Sequence, residues 1–383
     1  MKYDFDTMWE RYGTDSYKWD IKENELPMWV ADMDFKTAPE IIEAIEERAK
    51  HGIFGYAVTT DAWYQAYQGW WKKRHQLVIE KDWLMFCTGI VPALSSIVRK
   101  MTTVGENVLV QTPVYNIFFN CILNNGRHPV ENKLIYENGV YRMDFEDLEE
   151  KLSNPQTTLM LLCNPQNPSG KLWDRETLAK VGELCAKYHV VVVSDEIHCD
   201  LTAPGKEYIP FISVSETCAK NSITCIAPTK TFNLAGIQTA AIMVPDPVLR
   251  HKVNRGINTD EVAEPNVFAV AAAIAAFTKG AEWLDELREY IQGNKEYVKD
   301  FLEREIPKIR LVDSDATYLL WLDCQAVTDD SEKLCRSIRE KTGLMLSSGH
   351  VYGGNGFLRM NIACQRERVI DGCERLKRGI QSF

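Results

Sequence analysis

The pattern of apolar and polar positions divides the chain into an irregular start, a long alternating middle and a compact end. Residues 1–36 show no strong helical period and carry Trp9, Trp19 and Trp29. Within them, Pro27-Met-Trp-Val-Ala-Asp-Met-Asp-Phe35 is apolar yet holds two carboxylates, Asp32 and Asp34. An irregular arm that carries large aromatics packs on something. Thr37, Pro39 and Glu40 then form a capping-box pattern ahead of Ile41, Ile42 and Ile45, which predicts a helix ending near His51-Gly52. Gly52–Tyr56 reads as a glycine-punctuated loop, and a second helix is predicted from Asp61 to His75.

From Asp82 onward short apolar runs alternate with amphipathic ones. Strands are predicted at Leu84–Cys87, Asn107–Gln111, Leu159–Cys163, Val190–Ser194, Ile223–Ala227 and Thr239–Val244. Helices are predicted at Pro92–Met101, at Tyr115–Leu123, and from an Asp174 cap through His189. Val190–Ser194 has no polar alternation, as expected of a strand covered on both faces. Such alternation implies an α/β fold with a mostly parallel sheet and helices on both sides. After Pro245 the texture changes. An Ala-rich core helix (Val267–Phe277) precedes a long charged helix over about 281–304. Strands Tyr318–Leu322 and Phe357–Ile362 and helices at about 331–341 and 366–380 follow. The expected organisation is an arm (1–36) that joins a small α+β domain (281–383), with a large domain (37–280) between them.

Composition narrows the function classes. With 383 residues and 45% hydrophobic content, the chain can bury a large core. No apolar run is long enough to span a bilayer, and the charged start Met-Lys-Tyr-Asp is unlike a signal peptide. A net charge of -10 without a basic cluster argues against a nucleic-acid partner. The 11 cysteines are dispersed without a C-x-x-C pair, which predicts reduced thiols in a cytoplasmic protein. The seven histidines show no metal-ligand spacing, so no metal is expected.

In open α/β sheets ligands bind beyond the carboxyl ends of the strands. The residues just past each strand end are therefore the candidates for chemistry. Thr88-Gly89-Ile90-Val91 is a turn opening onto a helix, which presents free N–H groups suited to a phosphate. Tyr115 lies just past the next strand. Asn164-Pro-Gln-Asn-Pro-Ser-Gly170 is a rigid turn that aims Asn amides into the crevice. Asp195-Glu196-Ile197-His198 comes next, then Pro228-Thr229-Lys230. Singly, each has a plain reading: Asp195 as a helix cap, Tyr115 as a core aromatic, Asn167 as a turn former, Lys230 as a solvated loop lysine. Together they have one economical explanation, pyridoxal 5′-phosphate. A lysine condenses with its aldehyde, a carboxylate keeps its ring nitrogen protonated, and an aromatic covers one ring face.

The chain resembles the fold-type I pyridoxal-phosphate enzymes of the class I/II aminotransferase superfamily, over essentially its whole length. The marks are Asn164-Pro-x-Asn-Pro-x-Gly170, Ser194-Asp195-Glu196, and a lysine thirty-five residues after Asp195. Within that superfamily it is most similar to the cystathionine β-lyase-like carbon–sulfur lyases, through Trp29-Val-Ala-Asp-Met-Asp34, Asp195-Glu-Ile-His-Cys-Asp200 and Lys230-Thr-Phe-Asn-Leu-Ala-Gly236. The resemblance implies an aspartate aminotransferase-like large domain around a seven-stranded type of sheet. It also implies a homodimer and β-elimination from cystathionine or another cysteine S-conjugate; transamination with a keto acid is the alternative. Lys230 would be the Schiff-base lysine and proton shuttle, Asp195 the partner of the ring nitrogen, and Tyr115 the stacking ring. Asn167 and His198 would sit at the ring hydroxyl. Ile90 and Val91 would offer amides to the phosphate, which Tyr56 would reach in the neighbouring subunit. Arg359 would clamp the substrate α-carboxylate, with Asn167, Tyr115, Ala31 and Asp32 on the substrate side. Two family positions depart from the pattern, because Ala227 and Gln238 stand where a hydroxyl and an arginine commonly grip the phosphate. Thr229 and Thr231 are the candidates to replace them.

Overall fold

A computed structural model of the chain describes residues 2–383. Its centre is a seven-stranded sheet in the order Leu84–Cys87, Ala240–Met243, Ser222–Ile226, Val191–Asp195, Thr157–Cys163, Asn107–Thr112 and His128–Lys133. The last five run parallel; Ala240–Met243 is antiparallel to both of its neighbours. Burial explains the unbroken apolar runs. In Asn107–Thr112, Val108 and Val110 enter the core on one face and Leu109 the core on the other, and none of the three is accessible. Helices Ile90–Met101 and Pro247–Thr259 cover the first face, and Arg175–Lys187 and Phe145–Leu152 the second.

The expected α/β class and all the expected strands are present, most of them shifted at their ends. Val191–Asp195 and Ser222–Ile226 each begin one residue from the predicted position, so Asp195 closes its strand rather than following it. Three helix starts differ for identifiable reasons. The first helix runs Pro39–His51 with Ala38 at its N-cap, and the Thr37 hydroxyl is buried without a partner, so the capping box is not formed. Proline at the first position sets the backbone without needing a cap. The helix predicted from Pro92 begins at Ile90, because proline is harmless anywhere in a first turn, where N–H groups lack intrahelical partners. The helix predicted from Tyr115 begins at Ile117, leaving Tyr115 in the connection.

Several elements were not anticipated. His128–Lys133 is a polar edge strand that contains Pro129, which an edge tolerates. Helix Pro247–Thr259 buries only Val253, Gly256 and Ile257, too few apolar positions to announce a period.

A second, four-stranded antiparallel sheet has the order Arg310–Leu311, Leu319–Asp323, Phe357–Asn361, Ser347–Ser348. The 25-residue helix Ala281–Glu305 leads into it. The N-terminal segment joins this part of the chain, because Leu26–Pro27 pairs in parallel with Leu344–Met345. No single helix is long and apolar enough to cross a membrane.

The 164–170 turn connects the two sheets. Gly170 has φ +69°, and its carbonyl accepts from the Asp315 and Ala316 N–H groups at 3.0 and 2.9 Å. A Cβ there would overlap the Ser314 hydroxyl and the Ala316 carbonyl. Gly170→Ala should therefore lower folding stability by about 1–3 kcal/mol, through a strained left-handed residue and the displaced backbone. A fall in the urea unfolding midpoint at unchanged slope checks it.

Candidate active site

The strand ends converge as the sheet register requires. Asp195 lies level with Cys163 on one side and Cys225 on the other, so it sits in the middle of the sheet, 3% exposed. Its carboxylate takes one hydrogen bond, from the Ile197 N–H to Oδ1 at 3.2 Å, and among the described residues no ion pair reaches it. Burial pushes its pKa up to about 7. Lys230, in the turn after Ser222–Ile226, has its Nζ 2.6 Å from the Ala31 carbonyl. Burial pushes that amine down to about 8, helped by the Arg359 charge and opposed by the carboxylates of Asp32 and Asp195.

Arg359 comes from the small sheet and is 4% exposed. One Nη donates to Asn167 Oδ1 at 3.2 Å and the other to the Trp29 carbonyl at 2.9 Å. Its guanidinium lies 4.7 Å from the Tyr352 ring centroid, and its Nε has no partner. Asn167 is thus brought to Arg359 across 192 residues of chain. His198 is buried, and its Nδ1 is also without a partner. Burial and the charges of Lys230 and Arg359 hold its pKa down to about 3, so the ring is neutral. Tyr115 is half-buried, and its hydroxyl is pushed up to about 12, chiefly by burial and then by the Asp195 carboxylate.

Ile90 and Val91 are the first two residues of their helix, behind a Gly89 N-cap without a side-chain cap bond. Thr229 is buried beside Lys230, whereas the Thr231 hydroxyl is turned to Asp200 Oδ2 at 3.3 Å. Ala31 reaches Lys230 through its carbonyl. The Asp32 carboxylate faces Arg11 at 3.4 Å and Lys18 at 3.8 Å. Tyr56 is fully exposed, away from this cluster.

Two residues that the sequence pattern did not single out belong here. The Tyr318 hydroxyl donates to the Ala31 carbonyl at 3.0 Å, and Asn361 Nδ2 donates to the Val30 and Asp32 carbonyls. The signal for Asn361 was present: Arg359 and Asn361 are polar positions two apart in a strand otherwise made of Phe, Leu and Met. The structure also gathers His75, Cys199 and Asp200, with ligand atoms within 4.8 Å of one another. The Asp200 carboxylate is already engaged by His75, Trp70 and Thr231, and burial holds the Cys199 thiol well above its ordinary pKa. This trio therefore reads as a structural hydrogen-bond cluster.

The unpartnered groups fit one kind of ligand. An uncompensated buried carboxylate suits a protonated ring nitrogen, a depressed amine suits an aldehyde, and uncapped helix amides suit a phosphate. The family model for aminotransferase class I and II matches residues 24–376. Cystathionine beta-lyase PatB of Bacillus subtilis is 45% identical, over 97% of this chain and 98% of its own length. Among solved structures, cystalysin from Treponema denticola contains a pyridoxal 5′-phosphate cofactor. It superposes with a TM-score of 0.96 at 32% identity, over the full length of both chains. The pyridoxal-phosphate-bound carbon–sulfur lyase from Staphylococcus hominis gives 0.93 at 30%, over 99% of this chain and 98% of its own. With its amine, carboxylate and guanidinium assembled on a framework shared end to end with these enzymes, the chain belongs to the class I and II aminotransferase family, in its branch of pyridoxal-phosphate-dependent carbon–sulfur lyases.

Proposed function

We propose that the enzyme cleaves the Cβ–S bond of cystathionine or another cysteine S-conjugate, with water, to a thiol, pyruvate and ammonia. The observation that carries this reading is the buried pair Lys230 and Asp195, each without a counterion, in a chain nearly half identical to a cystathionine β-lyase. When bound, the cofactor supplies a sink for the electron pair left at Cα. Asp195 would face the ring nitrogen, where a buried carboxylate would favour the protonated ring that makes the sink effective. Lys230, whose pKa burial lowers to about 8, is the amine placed to take the Cα proton, and its free-base form grows as pH rises through that value. Arg359 presents a fork that matches the α-carboxylate, held in place by Asn167 and the Trp29 carbonyl. Neutral His198 and Asn167 serve the ring hydroxyl, Tyr115 the ring face, and Ile90, Val91 and Thr229 the phosphate. Ala31 and Asp32 lie on the substrate side.

The proposal includes a homodimer. The segment between the first two helices exposes Ile53, Phe54, Tyr56 and Val58, an apolar run of the kind that marks a contact surface. It would carry Tyr56 to the partner's phosphate. It also includes the division into arm 1–36, cofactor domain 37–280 and small domain 281–383, supported by the pairing of Leu26–Pro27 with Leu344–Met345. Eleven free thiols, ten of them buried, support a reducing, cytoplasmic setting.

A screen over cysteine S-conjugates should release thiol and pyruvate in equal amounts with no keto acid added. Strict dependence on a keto acid would make the enzyme an aminotransferase instead. Borohydride reduction of the resting holoenzyme should fix the cofactor on residue 230. Lys230→Ala should lose that label and at least about a thousandfold in turnover, with the fold kept.

Asp195 gives a pH prediction for the cofactor-free chain. Its folded pKa, about 7, lies above its ordinary 3.8, so between those values the folded chain holds a proton that the unfolded chain has lost. Stability therefore falls as pH rises through that window. Asp195→Asn should melt higher than the wild type above pH 7 without cofactor, and the difference should close near pH 4. A constant difference across that range would refute the assignment.

A further inference from the structure

The segment Met28–Phe35 is bonded to the rest of the molecule through every one of its carbonyls. Met28 accepts from the Asn361 N–H at 2.8 Å, and Trp29 from Arg359 at 2.9 Å and Ser347 at 3.1 Å. Val30 accepts from Asn361 Nδ2, and Ala31 from Lys230 at 2.6 Å and Tyr318 at 3.0 Å. Asp32 accepts from Asn361 at 2.7 Å and Lys18 at 3.2 Å, and Met33 from Arg11 and Asn233, both at 3.1 Å. Asp34 accepts from Gln365 at 3.0 Å, and Phe35 from Asn233 at 2.9 Å. Two of these donors, Lys230 and Arg359, are the cations of the site. The backbone of this strap therefore sets where both of them rest.

One of the strap's own side chains anchors its far end. Asp34 is 2% exposed, and its carboxylate accepts from Arg11 at 2.8 Å, Trp19 Nε1 at 2.9 Å and Lys18 at 3.0 Å. Arg368 stands 3.4 Å from the same carboxylate and 4.4 Å from the Trp19 ring centroid. Three cations, two from the N-terminal arm and one from the C-terminal helix, thus meet on one buried anion. The reaction itself makes no use of Asp34.

We propose that Asp34 is a positioning residue for substrate capture. By holding the strap, it places the Trp29 carbonyl, and that carbonyl orients the Arg359 fork. The proposal rests on the reading of Arg359 as the α-carboxylate clamp. In the loaded enzyme Lys230 would be held by the cofactor, so displacement of the strap would fall on Arg359. The consequence is weaker carboxylate binding with the chemical step preserved.

The test uses holoenzyme. Asp34→Asn keeps the shape and removes the charge. Asp34→Asn combined with Arg368→Met removes one cation with the anion, restores the net charge of the buried cluster without removing a donor to the strap, and carries the decision if the single variant does not fold. KM and kcat are measured for elimination from cystathionine. Affinity is measured by titration with propionate, a carboxylate without an amine, followed through the cofactor absorbance. Both variants should raise KM and the propionate Kd about tenfold or more, with kcat within about threefold and the resting absorbance unchanged. An unchanged KM and Kd in a folded variant, or a loss confined to kcat, overturns the role of Asp34. Arg359→Ala is titrated in parallel. If it weakens propionate and the Asp34 variants do not, the clamp stands and the positioning role falls. If it leaves propionate unaffected, the clamp is elsewhere and both ideas fall together.

Discussion

Two ionisable groups buried without counterions define this molecule. Folding an amine and a carboxylate into an apolar interior is costly unless something compensates them, and the chain leaves that compensation unfinished. Lys230 meets only a backbone carbonyl, and Asp195 only a backbone N–H. Their pKa values move toward each other as a result, to about 8 and about 7. An aldehyde and a protonated ring nitrogen would relieve both groups at once. The binding energy of such a cofactor is in part the desolvation penalty that these two groups carry.

The sheet makes this arrangement possible. Strands buried on both faces cannot slip, because their apolar residues serve two cores. Register then places Asp195 level with Cys163 and Cys225, in the middle of the sheet. The connections beyond the strand ends are free to carry polar groups without disturbing either core. Asn167, His198 and Lys230 all arise there.

The second half of the site comes from far away in sequence. Arg359 stands on the small sheet, and the Met28–Phe35 strap lies between that sheet and the Lys230 turn. Its carbonyls accept from both sides, while the Asp34 cluster holds its far end. Arg359 and Lys230 thus stand on distant parts of the chain, and carbonyls of this one strap accept from both.

Much of this was legible in the order of residues. Apolar runs reveal strands covered on both faces, and in an alternating α/β pattern the polar residues just beyond them must gather at one edge; hence Asp195, Asn167 and Lys230 could be named together. Polar edge elements such as His128–Lys133 left no periodic trace, because such a strand is only half-buried and its one fully buried residue, Asn132, is polar and satisfied by hydrogen bonds. The capping box at Thr37 was a local pattern that a buried tertiary setting overruled. The pairing of Arg359 with Asn167, the engagement of Thr231 by Asp200, and the strap carbonyls on Lys230 and Arg359 belong to the tertiary structure alone. Composition and spacing record which groups a segment can bury, whereas a hydrogen bond between residues hundreds of positions apart depends on where the closed chain puts both ends.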